Sequence, residues 1–354
     1  MAIVDKPTDY FNTILWTGND TDNRIISGVG FAPNWSWIKA RNNADQHYLV
    51  DTVRGSTKVI FSDSTSAEQT RVSAVKSFAS DGYVLGQEAQ VNRNGGTFVS
   101  WNWKAGTSVS GNTGGSGTAK SYSGSVNTDA GFSIITYVGN NSAGMTVPHH
   151  LGAVPKMIIV KNRDEGSESW QVYHGSLGAT KYLNLNLTNA VGTNSNRWNN
   201  TEPTSSVFTN GANGATNENN SDHVAYCFAE KEGFSKMGIY TGNGSDTPNG
   251  VFAYLGFTPA YILIKATDSN SWVIVNNKSP DDSNPVDNSL AADSTATEST
   301  GDSNTTFDFL SNGFRTNGNS GNNNSSGQEY IFMAFASSPF VTSTGNGSIP
   351  GTAR

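Results

Sequence analysis

Cysteine is almost absent from this chain: a single residue, Cys227, occurs in 354, so no intramolecular disulfide framework can hold the fold together. It lies in Val224-Ala225-Tyr226-Cys227-Phe228, an apolar strand pattern in which a thiol serves as a small hydrophobe. With no second thiol, a metal or redox role has no partner. Charge is scarce as well. Only 14% of residues are charged, the net charge is −7, and no run of Lys or Arg occurs. Nucleic-acid binding through a basic surface is therefore not expected, because phosphate neutralisation needs clustered cations. No apolar run approaches the roughly 20 residues of a membrane-spanning helix, so no membrane insertion is expected. The opening Met1-Ala2-Ile3-Val4-Asp5-Lys6-Pro7 lacks a charged start followed by an apolar stretch, and synthesis in a cytoplasm without a cleaved leader is expected. The histidines are His47, His149, His150, His174 and His223. None falls in a His-Glu-x-x-His pattern, and the adjacent pair His149-His150 is expected to point to opposite sides of a strand. Structural roles, with no metal and no cofactor, are the expectation.

What fills the space is small and polar, together with large aromatics. The chain holds 38 Gly and many Asn, Ser and Thr, a composition compatible with disorder. It also holds 8 Trp, 17 Phe and 12 Tyr, more large rings than a chain without cores would carry. Short strands joined by Gly/Asn turns satisfy both facts, and an all-β protein is expected.

Three segments open alike: Phe11 to Asn19, Phe132 to Asn140 and Phe234 to Asn243 are β-branched and aromatic runs ending in Gly-Asn. Each is followed by a proline and, six residues later, by a lysine inside a strand: Pro33 to Lys39, Pro155 to Lys161, Pro259 to Lys265. The invariant spacing argues for common descent. Gly55-Ser56-Thr57-Lys58 and Gly178-Ala179-Thr180-Lys181 recur in two copies. All three carry an Asp/Asn-Gly dipeptide suited to tight hairpins, Asp81-Gly82, Asn210-Gly211 and Asn312-Gly313. Each closes on an alternating apolar strand, Phe98 to Trp103, Val224 to Phe228 and Tyr330 to Phe335, whose period indicates one face packed on a core.

The organisation that follows is an N-terminal arm over 1–10, β repeats over 11–106, 132–232 and 233–337, a Gly/Ser-rich linker over 107–131, and a tail over 338–354. The linker predicts that the first repeat is docked more loosely than the other two. One helix candidate stands out, Thr65 to Phe78. Each repeat is long enough for its own core, which predicts three tandem β-sandwich or jelly-roll-like domains. The alternative is a pseudo-threefold β assembly around a shared core.

Gly30-Phe31-Ala32-Pro33 with Ile38-Lys39, Gly256-Phe257-Thr258-Pro259 with Ile264-Lys265, Ser80-Asp81-Gly82-Tyr83, Ser311-Asn312-Gly313-Phe314 and Ala334-Phe335-Ala336 form a recurring pattern. It resembles a family of tandem-repeat, virion-associated proteins encoded mainly by tailed phages of marine bacteria. The second copy departs from it, with Gly152-Ala153-Val154-Pro155 and Val160-Lys161. The resemblance covers most of residues 10–340. It implies a phage context and no reaction.

Lys39, Lys161 and Lys265, one per repeat, are candidate contacts that could line a groove; the plainer reading has each stem packed on an aromatic and each head in water. Trp35 and Trp37 share a strand face and are candidate stacking platforms for sugars, although core packing suits most tryptophans. Asp51, Asp63, Glu68 and Asp81 are available carboxylates, but nothing in sequence pairs them for glycoside hydrolysis. The expectation is a non-enzymatic structural component of a tailed-phage virion, tail-fibre-like or a capsid decoration. Its expected partners are other virion proteins and further copies of itself. A glycan-binding host-attachment module is the alternative, and a polysaccharide-degrading enzyme a more distant one.

Overall fold

The computed structural model describes residues 3–246, 248–279 and 284–342. It is all-β, and the strands fall where branched and aromatic residues cluster between Gly/Asn-rich turns. In the first unit β1 (Phe11–Thr17), β2 (Trp35–Ala40), β3 (Tyr48–Asp51) and β4 (Thr97–Trp103) pair antiparallel in the order β1-β4-β2-β3. The second unit repeats that order with β5 (Phe132–Val138), β6 (Met157–Asn162), β7 (Gln171–His174) and β8 (Asp222–Phe228), as β5-β8-β6-β7. The third does so with β9 (Ser235–Thr241), β10 (Phe257–Ala266), β11 (Trp272–Asn276) and β12 (Glu329–Pro339), as β9-β12-β10-β11.

Against the outer face of each large sheet lies a three-stranded one. Its strands are Arg24–Ser27, Gly82–Leu85 and Val75–Ala79 in the first unit. In the second they are Gly114–Gly115, Met145–Pro148 and Val207–Asn210, and in the third Phe252–Tyr254, Gly313–Asn317 and Thr306–Leu310. Each unit is thus a small sandwich with its own core, such as Ile38, Tyr48 and Val50 against Ile26, Tyr83 and Leu85 in the first.

The inner faces of the three large sheets meet in one further core. Alternation along the strands decides which residues reach it: Trp35 and Trp37 on β2, Met157 and Ile159 on β6, Tyr261 and Leu263 on β10. At its centre the ends of the closing strands form a triangle. The rings of Trp103, Phe228 and Phe335 stand 6.4, 5.6 and 5.9 Å apart, centroid to centroid. Trp35 stacks at 4.3 Å on both Trp103 and Tyr226, joining the first unit to the second. The two architectures expected from sequence, separate sandwiches and a shared pseudo-threefold core, are therefore present together.

The structure departs from the sequence expectations at several points. The closing strands are buried on both faces, because one face packs on the unit's own small sheet and the other on the common core. Such strands read as near-continuous apolar runs. The expected linker over 107–131 forms a hairpin, Thr107–Asn112 with Ser121–Asn127, that adds two strands to the open edge of β5. Its small residues suit close strand contact: a side chain at Gly124 would meet the Ile134 carbonyl oxygen at 2.4 Å. Thr65 to Phe78 is not a helix but carries the strands Gln69–Thr70 and Val75–Ala79. The arm is tied down, with Val4 N–H donating to the Glu232 carbonyl at 3.0 Å. Of the expected tail, 338–339 belong to β12, and 343–354 lie outside the described residues.

A shared core makes the three units one cooperative body. Thermal and denaturant unfolding are expected to give a single transition by fluorescence and circular dichroism alike, and Trp35→Ala is expected to lower stability by about 3–5 kcal/mol. Two resolved transitions in the unsubstituted protein would contradict this.

Candidate functional site

All five side chains singled out as candidate contacts are inside. Lys39, Lys161, Lys265, Trp35 and Trp37 are each 0% exposed, so none is on a surface that a partner can reach. The tryptophans belong to the common core. The lysines follow from strand parity: each lies two residues beyond an inward-facing core residue, at the rim where the common core ends. An ammonium there must find oxygens or be left unsolvated.

It finds backbone carbonyls. Lys161 Nζ donates to Asn162, Glu165 and Glu168 of its own unit at 2.7, 3.2 and 3.0 Å, and to Thr65 of the first unit at 2.9 Å. Lys39 Nζ donates to Ala40 and Asn43 at 2.8 and 3.2 Å, and to Thr295 of the third unit at 3.2 Å. Lys265 Nζ donates to Ala266 and Asp268 at 2.7 and 2.6 Å. Burial pushes each ammonium down to about 8, which leaves it protonated at pH 7. The expected head in water is thus replaced by a head in a carbonyl cage.

Two residues past each lysine, the chain accepts a backbone hydrogen bond from another unit. Glu68 N–H donates to the Arg163 carbonyl at 2.7 Å, Val191 N–H to Thr267 at 2.9 Å, and Glu298 N–H to Arg41 at 2.7 Å. First grips second, second grips third, third grips first. Side chains reinforce two of these clasps: Arg163 pairs with Glu68 at 2.9 Å and Arg41 with Glu298 at 2.6 Å. Ring nitrogens reinforce all of them, from Trp170 Nε1 to the Phe61 carbonyl at 2.8 Å, Trp272 Nε1 to Asn184 at 2.8 Å, and His47 Nε2 to Ala291 at 3.0 Å. The first unit is held like the others.

Other reactive groups are also engaged internally. Asp51 and Glu68 meet on one buried guanidinium, that of Arg54, which also donates to Tyr226 Oη at 3.2 Å. His174 Nε2 reaches the Phe332 carbonyl of the third unit at 3.2 Å, and His223 contacts the Ser221 and Gly214 carbonyls at 3.0 and 3.3 Å. His149 and His150 lie beyond the strand Met145–Pro148, and His150 has φ +59°, so opposite faces of a strand do not describe them. Cys227 is buried, and burial pushes its thiol up to about 12.

One set of residues escaped the sequence reading. Asn92, Asn217 and Asn324 are fully buried. Their side-chain oxygens accept from Asn19, Asn140 and Asn243 N–H at 3.2, 2.8 and 3.1 Å. Their amides donate to Gly86, Gly211 and Gly318 carbonyls at 2.9, 3.0 and 2.8 Å. The recurring Gly-Asn opening is explained here. A side chain at Gly18, Gly139 or Gly242 would sit 2.0–2.3 Å from the backbone just after the buried asparagine, so close approach rather than turn geometry requires glycine. The signal was present as Gly-x5-Asn in every copy, hidden by the abundance of asparagine.

Outside, the exposed large apolar side chains are mostly single. Among the described residues, Phe252 and Tyr254 are the pair that shares one strand face. Residues 6–339 match the model of a family described as a domain of unknown function, DUF7483, and the chain belongs to that family. No curated protein and no solved structure matches it.

Two outcomes follow from the clasps. Lys161→Met leaves four carbonyls without their donor and is expected to cost about 3 kcal/mol in denaturant unfolding, whereas Lys58→Met, which removes an exposed ammonium bound to Thr70 Oγ1, is expected to change stability by about 0.5 kcal/mol or less. Burial lowers His47 to about 3 and His149, His174 and His223 to about 4 in the folded protein. The unfolded chain then binds more protons below its ordinary histidine pKa of about 6.5, so stability is complete above that pH and lost as pH falls towards 4. Each histidine contributes a loss of about 1.4 kcal/mol per pH unit, and an unfolding midpoint unchanged between pH 7 and 5 would refute the burial account.

Proposed function

We propose that this DUF7483 protein is a non-enzymatic structural component of a tailed-phage virion, carried on the particle as a tail-fibre-like element or a capsid decoration. The observation that carries the reading is where the versatile side chains go. Lys39, Lys161, His47, His174 and Arg54, side chains that a catalytic site would draw on, are committed to internal hydrogen bonds that cross from one unit to another, and Lys265 and His223 are committed within their own units. Such a body suits docking on a large assembly and repeated handling outside a cell. The phage context rests on the Gly-Phe-x-Pro and Ile-Lys pattern and its likeness to tandem-repeat virion proteins. On this reading its partners are other virion proteins and further copies of itself, and a net charge of −7 speaks against the packaged nucleic acid as one. A second reading, attachment to a host surface glycan, draws support from the exposed Phe252 and Tyr254 rather than from the buried tryptophans.

Cryo-electron microscopy and protein mass spectrometry of purified particles test the proposal. A three-lobed β body on the capsid lattice or the tail is the expected density. A protein abundant in the lysate and missing from purified particles would overturn it.

A further inference from the structure

We propose that the outer face of the strand Phe252–Tyr254, together with the cavity beside it, binds an acidic glycan: a chain of pyranose rings bearing carboxylates. Phe252 is 46% and Tyr254 57% exposed, while Ala253 between them is buried. Period-2 alternation places both rings on one face, roughly 7 Å apart along the strand. The fold does not require aromatics there. In the pairing register of the small sheets, Tyr254 opposite Gly313 corresponds to Ser27 opposite Gly82, and the residues two before them are Phe252 and Ile25.

Both rings are backed by glycine. A side chain at Gly313 would come within 3.0 Å of Phe252 Cε2, and one at Gly256 within 3.5 Å of Tyr254 Oη. Each ring therefore lies close to backbone, and about half of it stays open to solvent. Flat aromatic faces of this kind match the apolar C–H faces of sugar rings.

Tyr254 also forms part of the wall of a cavity of about 280 Å³, with Lys231, Lys236, Glu230, Glu232 and Phe340. Glu230 is already occupied, since its Oε1 accepts from Met237 N–H at 2.9 Å. Glu232 is exposed at the rim. Lys231 and Lys236 are half-buried, and among the described residues their ammoniums have no hydrogen-bond or ion-pair partner. Two half-buried cations call for an anionic acceptor, which a uronate carboxylate supplies, and Glu232 can accept from sugar hydroxyls. Apolar faces flanked by charged donors and acceptors fit a saccharide better than a protein surface, whose contact core is depleted in charge.

The inference rests on the attachment reading and not on where the protein sits on a particle. Calorimetric titration of the full chain with a galacturonate hexasaccharide tests it, with a neutral glucose hexasaccharide alongside. Saturable binding of the uronate is expected, at least tenfold tighter than the neutral sugar. Phe252→Ile and Tyr254→Ser, which install the residues of the first unit, are expected to weaken it at least tenfold without moving the thermal midpoint. Lys231→Met with Lys236→Met is expected to abolish the preference for uronate. No binding of either sugar at millimolar concentration, binding within twofold of normal in Tyr254→Ser, or equal binding of both sugars would overturn the proposal. A chain that binds no sugar yet copurifies with particles removes this site and leaves the structural role standing; a sugar-binding chain absent from particles does the reverse.

Discussion

The three clasps in which each unit lends a backbone N–H to the next are the constraint on which the rest depends. Arg163, Thr267 and Arg41 accept from Glu68, Val191 and Glu298, so the chain closes on itself as a ring. A single such bond contributes on the order of 1 kcal/mol. Their weight comes from what they enclose. Once the ring is shut, the inner faces of three sheets are sealed, and Trp35, Trp103, Tyr226, Phe228, Tyr261 and Phe335 form a core that no unit could bury alone. The caged lysines belong to the same device: an ammonium at the rim meets the carbonyl oxygens of Thr65 or Thr295 only if the neighbouring unit is in place.

The same closure separates what is legible in the sequence from what is not. Strand positions, the three copies and the invariant Pro-to-Lys spacing were visible because they are local: a branched run, a turn, a fixed count of residues. The meaning of the lysine was not, since its acceptors lie up to 256 residues away in sequence. The burial of both strand faces was hidden for the same reason. In Ser100-Trp101-Asn102-Trp103 the alternation looks like one wet face, but Ser100 and Asn102 are buried too, and Asn102 accepts from Ser36 at 2.7 Å. The hairpin over Thr107–Asn112 and Ser121–Asn127 failed as a linker because Gly and Ser, which loosen a free chain, also allow a strand to approach another closely. Asn92, Asn217 and Asn324 were lost in a background of similar residues. The candidate contacts failed together: repetition marks what the fold needs three times, and what is needed three times is inside.

Function is then to be sought where the copies differ. The hairpin belongs to the second unit, and the open aromatic pair to the third, at positions that the first unit fills with Ile25 and Ser27. The same logic links stability to acid. His47 and His174 reach across unit boundaries in the neutral form, so protonation acts on the ring itself rather than on one lobe.

The central claim, that the units are held by closure and not by their own cores, is tested most directly by removing one. A chain ending at residue 232 keeps two complete sandwiches but loses Ala291, Thr295, Glu298 and Thr267, and with them two of the three clasps. The account predicts that this chain shows no cooperative thermal transition and exposes apolar surface to a dye such as ANS. A truncated chain that melts cooperatively near the midpoint of the full protein would contradict it.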